Sequence, residues 1–168
     1  MSLKIPLEAC VDSLKGYKFL PHRMQFVAQY DNVTFIDDSK ATNAHATLSA
    51  LKNYKDDLAL IIGGSDKGEK FDGIFSYIRT QANIKYVAVV GETSNAIVAC
   101  ANKFGVNAEV FQDIAQAVRY CYDSIKKIGG VVLMSNACAS FDAFENYAQR
   151  GNYFQRIVEE LHSDKKTN

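Results

Sequence analysis

The sequence predicts an α/β fold: a mainly parallel sheet covered by helices on both faces, with an antiparallel strand at one edge. Three observations predict it. Short, continuous apolar runs occur at 58–62, 86–90 and 131–134, the pattern of strands buried on both faces. They alternate with segments whose apolar residues recur at i, i+3, i+4 and i+7, the period of an amphipathic helix. An early pair of strand-like runs is joined by Asp31-Asn32, a turn dipeptide, which adds the antiparallel edge.

The elements follow in order. Leu7, Cys10, Val11 and Leu14 predict a short helix ending near Gly16. Residues 24–30 and 33–36 read as the two hairpin strands. Ala44, Leu48 and Leu51 mark a helix, 58–62 a strand ending in Gly63-Gly64, and Phe71, Ile74, Phe75 and Ile78 a second helix. Residues 86–90 form a strand ending at Gly91; Ile97, Val98, Ala101 and Phe104 mark a helix closed by Gly105. A strand is expected at 108–111. Ile114, Ala117, Val118, Cys121, Tyr122 and Ile125 form the cleanest amphipathic helix. Gly129-Gly130 leads into the strand at 131–134, after which Phe141 and Asp142 are expected to open a helix. Phe154, Ile157, Val158 and Leu161 mark a closing helix, and the polar tail 163–168 is expected to fray.

Composition bounds the function. The chain has 168 residues, one domain's length, with 48% hydrophobic and 23% charged residues, which excludes disordered, collagen-like and coiled-coil classes. Lys+Arg and Asp+Glu both number 19, and a zero balance argues against a nucleic-acid binder. No apolar run approaches the ~18 residues of a membrane span, so no membrane insertion is expected, and the N-terminus lacks the apolar core of a signal peptide. Cys10, Cys100, Cys121 and Cys138 form no CxxC pair and no zinc-spaced cluster, so free thiols in a reducing, cytoplasmic compartment are expected and no metal site is predicted. His22, His45 and His162 are scattered, with His45 and His162 read as surface residues.

In a parallel sheet, ligands bind beyond the carboxyl ends of the strands. Three polar segments occupy that position. Asp37–Asn43 packs two carboxylates, Lys40, two hydroxyls and an amide into one turn, with Thr42 or Ser39 available to cap the next helix. Gly63-Gly64-Ser65-Asp66-Lys67 combines glycines, whose N–H groups can approach an anion, with a cation; a plain turn explains it equally. Residues 135–140 are small and polar, and Ser140 is placed to cap a helix whose N–H groups could hold a carboxylate; a simple capped turn is the alternative. Arg23 is either an exposed arginine or a phosphate contact. No GK[ST] sequence and no GxSxG elbow occurs. These residues describe a binder of a small anionic ligand and specify no reaction.

A resemblance sharpens this reading. Leu20-Pro21-His22-Arg23-Met24, Asp38-Ser39-Lys40-Ala41-Thr42-Asn43, Gly63-Gly64-x-x-Lys67, Ala137-Cys138-Ala139-Ser140-x-Asp142-x-Phe144 and Gln149-Arg150-Gly151-Asn152-x-Phe154 resemble the Mur ligases, in order and with compatible spacing, over residues 20–161. They resemble most the branch that joins D-glutamate to UDP-N-acetylmuramoyl-L-alanine, because sibling branches differ at Asp38-Ser39-Lys40-Ala41-Thr42-Asn43. Four departures stand out: Asp37 where Asn is familiar, Ser65-Asp66 where Asp-Gly is familiar, Phe141 for Leu and Tyr147 for Phe.

The resemblance implies the C-terminal, amino-acid-binding domain of a three-domain ligase, with a Rossmann-like three-layer α/β/α fold. It implies that 1–19 is a linker and short helix left from the preceding domain, 20–162 the domain itself, and 163–168 the tail. The first helix would then lie against the central domain. The implied reaction is ATP- and Mg²⁺-dependent amide formation through an acyl phosphate, a step of peptidoglycan synthesis serving cell-wall biogenesis, shape and division. Thr42, Lys67, Ser140, Phe141 and Tyr147 would hold D-glutamate; Arg23, Asp38 and Lys40 would reach toward ATP. UDP-N-acetylmuramoyl-L-alanine and ATP would be held mainly by the two other domains, so no cofactor would bind tightly to this one and no residue here would be catalytic on its own. A free-standing small-anion-binding or regulatory module is the alternative.

Overall fold

The computed structural model describes residues 6–15 and 20–166. Gly16, the expected stop of the first helix, lies outside them. In chain order the elements are α1 (Leu7–Lys15), β1 (Gln25–Tyr30), β2 (Val33–Asp37), α2 (Ala44–Leu51), β3 (Leu58–Ile62), α3 (Asp72–Ile78), β4 (Ile84–Val89), α4 (Ser94–Lys103), β5 (Glu109–Val110), α5 (Ile114–Ile125), β6 (Gly130–Met134) and α6 (Tyr147–Lys166).

The six strands form one sheet in the order β1-β2-β6-β3-β4-β5. β1 pairs antiparallel with β2, and every other pairing is parallel. The β1–β2 hairpin turns on Asp31 (φ 48°) and Asn32 (φ 61°), both left-handed, as a two-residue turn between twisted strands requires.

Alternation along each strand builds two cores. Ala59 and Ile61 face one side with Phe35, Val132 and Met134, and α5 and α6 cover them with Val118, Cys121, Ile125, Phe154 and Val158. Leu58, Leu60 and Ile62 face the other side with Val87, Val89 and Leu133, beneath Leu51, Ile74, Phe75 and Ile97 of α2, α3 and α4. The β3 side chains are fully buried on both faces, which is why that strand reads as an unbroken apolar run. This is the predicted three-layer arrangement.

Three departures from the sequence expectations have local causes. No helix opens at Phe141: the Ser140 carbonyl accepts from Ala143 N at 3.3 Å and Phe144 N at 2.8 Å, which closes a turn instead. The helix begins at Tyr147, where the Asn146 side chain accepts from Gln149 N at 2.9 Å. α6 then runs to Lys166, past the expected domain end at 162. Within it His162 stacks on Tyr30 at 4.3 Å, so it is not a free surface histidine. Leu7 and Val11 of α1 are 79% and 43% exposed, and neither belongs to a core.

The strand order positions the site. β2, β6 and β3 are adjacent, so the three polar segments that leave their carboxyl ends emerge side by side. The ladder continues past the strands: Asp38 N donates to Met134 O, Ser135 N to Ile61 O and Gly63 N to Asn136 O.

Candidate functional site

Thr42, Lys67, Ser140, Phe141 and Tyr147 line one cleft of about 190 Å³, together with Ala139 and Asn146. Thr42 comes from the β2 exit, Lys67 from the β3 exit, and the rest from the β6 exit and the start of α6. Both cleft-edge lysines rest on aromatic rings. Lys67 Nζ lies 4.7 Å from the centre of the Phe141 ring, and Lys40 Nζ lies 4.9 Å from that of Tyr147, whose hydroxyl it also meets at 3.0 Å. Cation–π contact of this kind contributes ~0.5–1 kcal/mol at exposed sites and restrains two long side chains.

Of the two readings the sequence left open for the glycine loop, the structure shows the plain turn. Its N–H groups do not cradle an anion: Gly63 N donates to Asn136 O at 2.8 Å, Gly64 N to Thr93 Oγ1 at 3.1 Å and Ser65 N to Ala139 O at 2.9 Å. Gly63 (φ 119°) packs where a Cβ would collide with the Val90 carbonyl. The glycines bring the β3 and β6 loops into contact, and Lys67 is the charge that reaches the cleft. Nor is the start of α2 open to an anion. Asn43, not Thr42 or Ser39, is its cap, accepting from Ala46 N at 2.9 Å, and Glu69 accepts from Ala44 N at 3.1 Å. Thr42 is thereby released from capping to face the cleft.

Asp38 turns inward. It is 2% exposed, accepts from Ser135 Oγ at 2.8 Å and from Met24 N at 3.2 Å, and burial pushes its carboxyl above the usual range. It therefore braces the β2 exit against β6 and the 22–24 corner rather than facing outward. Arg23, at that corner, is exposed, and its charge acts on Asp38.

Two features escaped the sequence reading. The first is Arg150, 2% exposed on α6. Nε donates to Ser39 Oγ at 2.9 Å, Nη2 to Ser39 O at 2.9 Å and Cys138 O at 3.0 Å, and Nη1 to Ala139 O at 3.0 Å. Burial pulls its pKa down to about 10, with Asp142 opposing, so it stays charged at neutral pH. The second is a buried cluster around Asp37, whose Oδ2 takes His22 Nδ1 and Gln155 Nε2, both at 2.7 Å, while Oδ1 takes Ser39 N at 2.9 Å. Gly151 fits against it because a Cβ there would strike His22 Nδ1 and lie 2.7 Å from Asp37 Oδ2. The family-like motif Gln149-Arg150-Gly151 carried part of this signal, but nothing local to it names the partners.

A larger cavity of about 250 Å³ lies behind the 142–144 segment, lined by Gly63, Asn136, Phe144 and Tyr153 among others. No lysine lines it, and four Arg150 N–H groups beside it are already bonded. The smaller cleft is the better anion site. Among the described residues, no group of three or more His, Cys, Asp or Glu is placed to hold a metal ion, and no helix is long and apolar enough to cross a membrane.

Residues 22–138 match the family model described as Mur ligase, glutamate ligase domain. The chain belongs to the Mur ligase family. The UDP-N-acetylmuramoylalanine–D-glutamate ligase of Clostridioides difficile (strain 630) is 38% identical over 159 residues, covering 94% of this chain and 35% of that protein. The enzyme of the same name from Caldicellulosiruptor saccharolyticus is 41% identical over 150 residues, covering 89% and 32%. The chain thus spans about a third of the length of these relatives. The bifunctional folylpolyglutamate synthase/dihydrofolate synthase from Yersinia pestis CO92 shares the fold of this Mur ligase domain, with a TM-score of 0.55 and 16% identity over 95% of this chain and 35% of that one.

Proposed function

We propose that this chain is the amino-acid-binding domain of an ATP-dependent, ADP-forming amide-bond ligase that joins D-glutamate to UDP-N-acetylmuramoyl-L-alanine in cytoplasmic peptidoglycan-precursor synthesis. The observation that carries it is the cleft: five residues expected to hold D-glutamate come from three separate strand exits and the start of α6 and line one cavity. The names of the family relatives point the same way.

In this reading Lys67 opposes a carboxylate of D-glutamate, and Thr42 and Ser140 donate to its oxygens. The Phe141 and Tyr147 rings bound the cleft and hold the lysines. What the domain contributes to rate is placement of the amine, since orienting two reactants removes much of the entropic barrier. ATP supplies the activation, converting the acceptor carboxylate to an acyl phosphate. Arg23 and Lys40 suit contact with phosphate oxygens, whereas Asp38 acts as the brace described above. Mg²⁺, ATP and the UDP-sugar would be held chiefly by other domains.

The test is phosphate release. The chain alone, mixed with ATP, Mg²⁺, UDP-N-acetylmuramoyl-L-alanine and D-glutamate, releases none. Fused behind the N-terminal and central domains of a D-glutamate ligase relative, it supports release that depends on D-glutamate. Robust turnover by the chain alone, or a fusion indifferent to D-glutamate, contradicts the reading.

A further inference from the structure

Tyr147 is placed to act on two parts of the site at once. Its ring lines the cleft with Thr42, Lys67 and Ser140. Its hydroxyl meets Lys40 Nζ at 3.0 Å, and the same ammonium sits 4.9 Å from its ring centre. Its carbonyl accepts from Ser39 Oγ at 2.7 Å, and its ring stands edge-on to His22 at 6.2 Å. The Ser39–Lys40 turn is thus fastened to Tyr147 by both backbone and side chain.

We infer that Tyr147 is a positioning residue that transmits occupancy of the cleft to Lys40, through its hydroxyl. A lysine side chain has four rotatable bonds and loses considerable rotamer freedom when fixed. The phenol oxygen takes one of the three ammonium N–H donors and holds the charge at the hydroxyl end of the ring. Two donors are left for an anionic oxygen, a phosphate or acyl-phosphate oxygen in the reading above. A ligand that presses on the ring from the cleft side moves the group that holds Lys40. Phenylalanine at this position would keep the cleft wall and lose the link. The inference rests on the proposed reading for the identity of the ligands, but the contact itself does not.

The experiment follows the Lys40 side-chain methylene next to Nζ by NMR in the wild-type chain, Tyr147→Phe and Tyr147→Leu. Without ligand, the wild-type resonance is displaced from those of lysines that meet no aromatic side chain. Tyr147→Leu abolishes the shift, and Tyr147→Phe changes it at an unchanged backbone spectrum. On D-glutamate addition, Thr42 and Ser140 respond in both wild type and Tyr147→Phe, while the Lys40 response is lost in Tyr147→Phe. In the fused ligase, Tyr147→Phe raises KM for ATP about tenfold, as loss of a charge-assisted hydrogen bond predicts, with KM for D-glutamate within twofold. A Lys40 resonance indifferent to both substitutions without ligand overturns the contact. A Lys40 response to D-glutamate that persists in Tyr147→Phe overturns the link. D-Glutamate that perturbs nothing in the wild type, with the ligand-free shifts as expected, overturns the ligand assignment and with it the transmission, leaving Tyr147 only as the anchor of Lys40.

Discussion

Arg150 Nε and Ser39 Oγ lie 2.9 Å apart across 111 residues of sequence. Through this contact and three more to main-chain carbonyls, one buried guanidinium joins the β2 exit to the β6 exit. The two walls of the cleft are held in register by a residue that does not line it.

Arg150→Ala removes the donors for Ser39 O and Cys138 O together, while Ala139 O keeps Ser65 N at 2.9 Å. Each buried acceptor left unpaired costs about 1–3 kcal/mol, so urea denaturation is expected to show a loss of about 3–5 kcal/mol. Arg150→Lys keeps the charge but cannot span four acceptors, and recovers less than half. A loss under about 1 kcal/mol for the alanine variant would show that the tie is dispensable.

Gly151→Ala tests the packing of the Asp37 cluster by its sign. In an open helix position this change stabilises by up to about 1 kcal/mol. Here the new Cβ meets His22 and Asp37, so the melting temperature is expected to fall, by an amount corresponding to about 2 kcal/mol or more. A rise would mean that the cluster yields freely.

Most of the scaffold was legible because its signals are local. The six apolar positions predicted for α5 are the six it buries, and Asp31-Asn32 marked the hairpin turn. The cleft residues were legible only through the family motifs, since composition left each loop open between a site and a plain turn. What stayed hidden depends on partners far along the chain. His22 and Gln155 reach Asp37 from 15 and 118 residues away, and no periodicity announces such a cluster. The helix expected at Phe141 failed for a local reason, since the Ser140 carbonyl closes a turn and Asn146 provides the better cap.

Asp38 predicts a pH dependence. Burial raises its folded-state pKa above the ordinary 3.8. The protonated form is therefore tolerated in acid, and the penalty of burying the charged form develops as pH rises through the folded pKa. Asp38→Asn lacks that penalty. Thermal melts of the two chains should nearly coincide near pH 3.5, and the asparagine variant should gain relative stability on the way to pH 7. A gap that closes with rising pH would contradict the assignment.

Phe141→Ala should leave the fold intact, because the ring is 63% exposed, and should release Lys67. Loss of the cation–π contact is worth about 0.5–1 kcal/mol, which predicts a few-fold weaker D-glutamate binding with an increased salt dependence. Binding unchanged by Phe141→Ala would show that the ring does not preorganise the lysine.

Titration of the isotope-labelled chain with D-glutamate, followed by NMR, tests the central claim most directly. The cleft is only part of the proposed site, so binding should be weak, on the order of millimolar, near 4 kcal/mol. Shifts should cluster at Thr42, Lys67, Ser140, Phe141 and Tyr147, weaken further in Lys67→Ala, and diminish as salt screens the ionic contact. Shifts confined to the β1 or β5 edge of the sheet, or micromolar binding untouched by Lys67→Ala, would contradict the account.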